Sequence, residues 1–394
     1  MKTLYLFTNH FPYSYQENFI EDEILYLSKR FEKIVILPFT KDTSKRRPIP
    51  ENCEVLDMPI SKSRIGYIIR GMFHVKTVKP LLIEFFRNRV YCSKTKFFAW
   101  GSSGRYLNNC LYNKKLKQVL HNIKKDDVVY FYWGIGQCLL SIVLKGKVHL
   151  VSRFHGEWDL WEESYGGFHS LRTNVVKCLD KAVFISKKGE DYFKKRYPMS
   201  TTAVFPLGSK DWGTQMPNPM DGIVRIVSCS TVYPLKRVPL IFESLNNMTD
   251  LSIEWVHLGG GSHFNELETL VKEKKCNHLK VSLLGMMTHD EVMNYYKQHH
   301  FDLFINLSTS EGVPVSIMEA MSFDIPILAT NVGSTSEEVS DQVGLLLSPN
   351  PSVNEITTSI RKILESTYTP REFWKDHYDA EKNYAAFSEM LVNL

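Results

Sequence analysis

Short apolar, β-rich runs alternate with helical patterns along this chain, and that alternation rules out most folds. In the first half the runs are TLYLFTN, KIVILPF, CEVLDMP, VVYFYW, VHLVSRF, KAVFIS and AVFPLG. In the second they are RIVSCST, IEWVHLG, KVSLLG, FDLFINLS, IPILATN and the short GLLLS. Helical patterns such as ENFIEDEILYLSKRF and EVMNYYKQHH lie between them. Strands that alternate with helices build β-α units and parallel sheets. At 394 residues the chain has room for two or three domains. SKDWGTQMPNPMDG, Ser209 to Gly222, is rich in Pro, Gly, Asn and Asp and joins two such β-α series. The expected fold class is therefore α/β, with two facing Rossmann-like, doubly wound domains and one inter-domain cleft. The first covers residues 1–212 and the second residues 213–375. Ligands of open α/β sheets bind at the carboxyl ends of the strands, which such a cleft would collect.

Composition narrows the function classes. No stretch reaches the roughly 18 uninterrupted apolar residues of a membrane span. The nearest, IGYIIRGMFHVKTVKPLLIEFF, is broken by Arg70, Lys76, Lys79 and Pro80. MKTLYLFTNHF lacks the length and the small-residue cleavage site of a signal peptide and reads as a first strand. The seven cysteines are scattered and never form C-x-x-C, which argues against a disulfide framework or a zinc site. A cytoplasmic protein is expected, peripheral at the inner face of a membrane.

Charge is uneven. Between Ser61 and Lys125 stand fifteen Lys or Arg against one acid, Glu84, although the whole chain carries only +5. Such asymmetry implies an anionic partner. Aromatics interleave with these cations, among them Phe73, Phe85, Phe86, Phe97, Phe98 and Trp100. Apolar residues mixed with Lys and Arg on amphipathic helices suit an anionic membrane surface. Solvated helices with their aromatics turned to the core fit the same pattern. Nucleic acid is not expected.

The densest signal is STSEGVPVSIMEAMSFDIPILATNVG, Ser308 to Gly333, with Glu311 and Glu319 eight residues apart. FDLFINLS supplies a strand, STSEGVP a turn, and Pro314 suits a first helical position because its missing N–H would be unpaired there. The helix then runs from about Val315 to Met321, with its free N–H groups and positive dipole end open to a phosphate. Glu319 lies about 7 Å further along at 1.5 Å per residue. The two carboxylates can thus reach opposite ends of a ligand whose middle is a pyrophosphate. Ionised oxygens accept hydrogen bonds and vicinal diols donate them, so a nucleotide sugar has the matching chemistry.

In this setting the segment resembles the family 4 retaining glycosyltransferases (glycosyl transferases group 1), whose fold is called GT-B and whose hallmark is an E-x7-E. The resemblance implies that Glu311 lies near the donor sugar and Glu319 on the ribose. The backbone from Gly312 through Val313 and Val315 to Ser316 would lie at the diphosphate. IVSCSTVYPLKRVPLIFESL resembles the family's phosphate-binding strand-loop-helix, with Lys236 matching its lysine; Ser230 and Thr231 stand where its arginine usually lies. KVSLLGMM matches the strand whose following loop contacts the base, near Gly285 and Met286, although core or turn roles fit these residues as well. His155 and Gly156 match a His-Gly that lies close to the donor sugar. Arg153 has two open readings, an acceptor phosphate or a nearby acid. In the first loop, where the family carries glycines, this chain has Ser14, Tyr15 and Gln16. FWKDHYDAEKNYAAFSEML resembles the closing helix, about 376–394, that completes the first domain.

The implied activity is a hexosyltransferase-type, retaining sugar transfer from a nucleotide-diphosphate sugar, UDP-linked first and GDP-linked second. The acceptor would be a saccharide, or a lipid-linked saccharide of bacterial surface polysaccharide (lipopolysaccharide) biosynthesis. His155, Lys236 and Glu311 are the expected catalytic residues. No cofactor and no metal are expected, since there is no Asp-x-Asp and the helix N-terminus with Lys236 would carry the phosphate charge. WVHLGGGSHF lacks G-x-G-x-x-G, with Phe264 in the last place, which disfavours a nicotinamide enzyme. Two other readings stand: a catalytically silent protein that binds nucleotide sugars or polyanions, and a GT-B-fold epimerase or phosphorylase.

Overall fold

The computed structural model describes residues 2–13, 17, 19–39, 46–57, 75–156, 158–163, 166–199, 201–274 and 276–394. Ser14, Tyr15, Gln16 and the 61–74 part of the basic segment lie outside the described residues. The chain divides into two compact units, Met1–Pro206 with Tyr384–Leu394, and Leu207–Asn383.

The first unit holds a seven-stranded sheet of order β3-β2-β1-β4-β5-β6-β7. Its strands are β1 (Thr3–Thr8), β2 (Lys33–Pro38), β3 (Cys53–Val55), β4 (Val128–Phe131), β5 (His149–Phe154), β6 (Lys181–Phe184) and β7 (Thr202–Val204). Every neighbouring pair is parallel. The runs are nearly continuous in apolar residues because both faces of a parallel sheet are covered. Along β1, Tyr5 and Phe7 enter one core while Leu4 and Leu6 enter another on the opposite face. Arg153 on β5 is fully buried and ion-paired to Glu23, which also lies in the core. Tyr130, the Phe205 carbonyl and the Phe387 ring complete its shell. Of the two readings open for Arg153, the nearby acid is the one realised.

The second unit holds a six-stranded parallel sheet of order β10-β9-β8-β11-β12-β13. Its strands are β8 (Val224–Cys229), β9 (Ile253–Leu258), β10 (Leu279–Leu283), β11 (Leu303–Asn306), β12 (Ile327–Thr330) and β13 (Gly344–Leu347). This is the doubly wound order of dinucleotide-binding folds, in which the winding reverses between β8 and β11. Its core gathers Trp255, Ile226, Leu303, Leu328 and the helix face Ile356, Ile360 and Ile363.

The chain crosses between the units' residue ranges at Pro206/Leu207 rather than near Trp212. The stretch expected as a linker is part of the second unit. Ser209 exchanges backbone hydrogen bonds with Tyr378 (3.0 Å) and Ala380 (3.1 Å), and its hydroxyl accepts from Trp374 Nε1 at 2.8 Å. Asp211 takes two hydrogen bonds from Arg371. These contacts also keep residues 376–383 in the second unit, so the helix Ala380–Val392 only afterwards joins the first.

Candidate active site

In the second unit, the loops that follow β8 and β11 flank the point where the strand order reverses. Lys236 closes a single 3-10 turn, Pro234–Lys236, after β8. Its Nζ lies 2.5 Å from Glu311 Oε1, in the loop after β11. Asn306, the last residue of β11, donates to the same oxygen at 3.2 Å, and its own Oδ1 accepts the Ser308 N–H at 3.0 Å. Asn306 therefore holds both the carboxylate and the bend that leads to it. Nothing in its surroundings in sequence marks it out from an ordinary strand-end asparagine.

Arg237 fixes the same loop from the other side. It adopts a left-handed backbone, φ 48° and ψ 36°, at the start of the helix Val238–Asn246. That turn directs its guanidinium to the carbonyls of Leu307, Ser308 and Pro349 and to Asn350 Oδ1. Burial lowers its pKa from the usual guanidinium value. The arginine beside Lys236 is a clamp on loop carbonyls and does not stand in for the one absent at Ser230 and Thr231.

The third support is Gly333. A Cβ there would lie 1.7 Å from the Glu311 carbonyl oxygen, and its φ is +52°. Ser334 then donates its N–H to the Gly312 carbonyl at 3.0 Å. A side chain at 333 would push the Glu311–Gly312 backbone off its position, which accounts for glycine after the β12 strand.

The helix spans Val315–Ser322, with Pro314 one place earlier than spacing suggests, at the cap with φ −74° and ψ 105°. No side chain caps it. Its first-turn N–H groups, beside Gly312, Val313, Val315 and Ser316, form the positive end of a dipole. Glu319 is nearly buried and its Oε1 accepts from His289 Nε2 at 2.8 Å. His289 opens the helix His289–Gln298 and was not singled out from sequence. The Cys229 thiol lies at the end of β8. Burial pushes its pKa up to about 12, Glu319 adds to the rise and Lys236 opposes it.

Gly285 and Met286 follow β10, two strands away from β8. Gly285 accepts the Gly259 N–H at 3.0 Å, and Met286 is strongly exposed. Gly259 is required there, since a Cβ would lie 2.0 Å from the Ser230 carbonyl oxygen. Behind Glu311 sits Glu338, fully buried, with neither carboxylate oxygen hydrogen-bonded. Burial first, and then the neighbouring charges of Glu311 and Glu337, raise its pKa well above the usual carboxyl range.

In the first unit, His155 follows β5. Its Nδ1 lies 3.3 Å from Asp159 Oδ2, and its Nε2 has no partner. Asp159 also accepts the N–H groups of Gly134, His155 and Gly156. Burial, the largest influence, raises the Asp159 pKa, but the His155 hydrogen bond and charge together with the backbone donors outweigh it and hold the carboxyl below its usual value. Nδ1 donating to this carboxylate leaves Nε2 as the acceptor. The rings of Trp133 and Tyr132 pack at 4.5 and 4.7 Å from the imidazole.

The loop after β1 is organised by Glu17, whose carboxylate accepts the N–H groups of Asn9, His10 and Phe11 and the Trp133 indole. Among the described residues no three His, Cys, Asp or Glu cluster as a metal site. None of the seven cysteines is in a disulfide.

Residues 222–379 match the family described as Glycosyl transferases group 1. Over 305 residues the chain is 23% identical to O-antigen biosynthesis glycosyltransferase WclY of Escherichia coli, spanning 71% of this chain and 83% of that protein. The lipopolysaccharide outer core galactosyltransferase WaaB, in its apo form, superposes with a TM-score of 0.70 at 16% identity, over 99% of this chain and 100% of that one. Anabaena Alr3699/HepE, solved in complex with UDP-glucose, gives 0.67 at 15% identity, over 99% and 100% of the two chains. At these identities the structures speak to the fold alone, and that fold is GT-B.

Proposed function

Since the chain is a glycosyltransferase of the GT-B fold whose residues 222–379 belong to the glycosyl transferases group 1 family, we propose that it moves a sugar from a nucleotide-diphosphate donor to a hydroxyl acceptor with retained configuration. The observation that carries this reading is the Lys236–Glu311 pair at the strand-order reversal, beside a helix that starts without a side-chain cap. A diphosphate at that helix start would meet the dipole end and Lys236 Nζ, which together balance the charge that grows on the leaving phosphate. Glu311 takes the sugar hydroxyls, Glu319 the ribose diol, and the loop at Gly285 and Met286 the base. His155 Nε2 is assigned to the sugar end. The leaving phosphate itself accepts the acceptor's proton on the same face, so the protein's part is positioning and charge stabilisation. No divalent ion is required in this scheme.

A UDP-sugar is the donor we favour, supported by the UDP-glucose bound to HepE. The O-antigen role of WclY supports a saccharide acceptor, lipid-linked in our reading. No helix among the described residues is long and apolar enough to cross a membrane. The helices Val75–Arg87 and Lys94–Tyr112 instead expose Leu82, Ile83, Phe86, Phe97 and Phe98 among Lys and Arg. Contact with an anionic membrane surface follows from that mixture.

A panel of UDP- and GDP-sugars tested by thermal shift and by nucleotide release decides the matter. Glu319→Gln should weaken UDP-sugar binding by about tenfold or more, the loss of a charged hydrogen-bond acceptor. Tight binding of one donor by the wild type with no nucleotide release, with or without acceptor, would make the chain a binding protein instead.

A further inference from the structure

Glu319 is held from a helix other than its own. His289 opens the helix His289–Gln298, and its Nε2 donates to Glu319 Oε1 at 2.8 Å. The start of that helix is fixed independently of the histidine. The Thr288 hydroxyl accepts the Glu291 N–H and the Glu291 carboxylate accepts the Thr288 N–H at 2.7 Å, which together make a capping box. Met293 and Tyr296 stand four and seven residues on from His289, so they share its face of the helix, and both are fully buried. The Tyr296 ring packs 5.4 Å from that of Phe323, which closes the helix carrying Glu319. Packing between the two helices thus carries the imidazole to the carboxylate.

Trp212 backs the imidazole. Its ring meets His289 edge-on, with centroids 6.1 Å apart and planes at 77°. Arg371 holds both neighbours of Trp212, through the Asp211 carboxylate and through the Gly213 carbonyl at 2.8 Å. The same guanidinium donates to the Ser322 carbonyl at the end of the Glu319 helix. The Glu319 side chain is only 11% exposed, and among the described residues no other group hydrogen-bonds its carboxylate. An ionised carboxylate can accept roughly four hydrogen bonds, so most of its capacity is left over. Spare acceptor capacity on a nearly buried charge favours a ligand that brings donors. Two hydroxyls on adjacent carbons bring them, provided the carboxylate plane is fixed so that both can reach it. The bond to His289 supplies that fixing, since a glutamate side chain otherwise turns about several single bonds.

We propose that His289 is a positioning residue of the donor site: it orients the Glu319 carboxylate to accept from both hydroxyls of a ribose, and so selects ribonucleotide over 2′-deoxyribonucleotide donors. The proposal rests on the assignment of Glu319 to the ribose diol and adds the group that makes that assignment selective. A 2′-deoxy sugar leaves an oriented, nearly buried acceptor without its donor, and the discrimination arises there. A carboxylate free to turn would pivot onto the hydroxyl that remains and lose less. His289 acts through Glu319 and has no part in the bond-breaking step.

Calorimetric titration with UDP and 2′-deoxy-UDP, or with GDP and 2′-deoxy-GDP where the wild type takes guanine, tests it. The wild type should prefer the ribonucleotide by about tenfold or more, the scale of one hydrogen bond to a charged group. His289→Leu keeps an apolar side chain against Trp212 and leaves the capping box intact. It should weaken the ribonucleotide by about tenfold and bring the preference close to one. His289→Gln, whose amide can donate in place of Nε2, should recover most of both. In turnover of the nucleotide sugar, the His289→Leu loss should fall on KM more than on kcat. A folded His289→Leu with wild-type preference and KM overturns this proposal and leaves the Glu319 assignment standing. Tighter binding by His289→Leu also overturns it, since the imidazole would then be blocking the ribose rather than preparing for it. Equal losses in His289→Gln and His289→Leu overturn it in favour of a packing role. A wild type that binds both nucleotides equally removes the ribose role of Glu319 as well, and one that binds neither removes the functional reading.

Discussion

Lys236 and Glu311 neutralise each other across 2.5 Å, and Asn306 shares the same carboxylate oxygen. On the proposed function, a donor diphosphate would have to take the ammonium from a carboxylate that stays close by. Removing either partner leaves the other nearly buried and uncompensated. Lys236→Met should lower kcat for nucleotide release by about a hundredfold, the scale of losing one group aimed at developing charge. Glu311→Gln should cost a similar factor, and the double variant should lose clearly less than the product of the two. Additive losses in steady-state kinetics would show that the two groups act independently.

Gly333→Ala tests the clamp on Glu311. With the Cβ position 1.7 Å from a carbonyl oxygen, the loop has to shift. The variant should lose about 2 kcal/mol or more in urea unfolding and weaken UDP binding with it. An alanine variant with wild-type stability and affinity would mean the loop relaxes freely.

His257 makes the second unit acid-sensitive. It lies in the core with Nδ1 2.8 Å from Ser228 Oγ, and burial, partly opposed by the Ser230 backbone, pushes its pKa down to about 4 from 6.5. The folded state keeps this imidazole neutral where the unfolded chain protonates it. Stability is thus full above pH 6.5 and falls as pH drops from 6.5 towards 4, by roughly 3 kcal/mol in all. Urea midpoints at several pH values should show a shallower fall in His257→Gln than in the wild type, the remainder including His169, which burial likewise pushes down to about 4.

Glu338 has the opposite sign. Its carboxyl keeps the proton in the folded state to higher pH than the 4.5 of an ordinary glutamate, so its contribution worsens as pH rises past that value. Glu338→Leu should raise the melting temperature at neutral pH, a gain of about 1–3 kcal/mol from removing an unsatisfied buried group. The gain should shrink as pH falls towards 4.5. A variant less stable than wild type at pH 7 would assign Glu338 a partner worth keeping.

All thirteen strands were legible in the apolar runs, because parallel strands covered on both faces are apolar almost without interruption. Glu311, Glu319 and Lys236 were legible because they sit where strand, turn and helix signals meet. Asn306, His289 and Arg237 were not. Arg237 and His289 work through partners distant in sequence, Arg237 reaching Pro349 and Asn350, more than a hundred residues on, and His289 reaching Glu319, whereas Asn306 acts on Ser308 and Glu311 close by but looks like any strand-end asparagine. The left-handed backbone that aims Arg237 carries no glycine or asparagine to announce it. The boundary at Ser209–Gly222 was misplaced by a few residues because Pro and Gly mark an irregular backbone without saying what it packs against.

The carboxylate of Glu17 occupies the backbone donors of Asn9, His10 and Phe11 at the turn after β1. In a doubly wound sheet that turn is where a phosphate is sought when a ligand is copied in from a relative by superposition. Here such a copy would collide with a resident anion. A designer wishing to open the β1 turn to an anion would first have to evict Glu17.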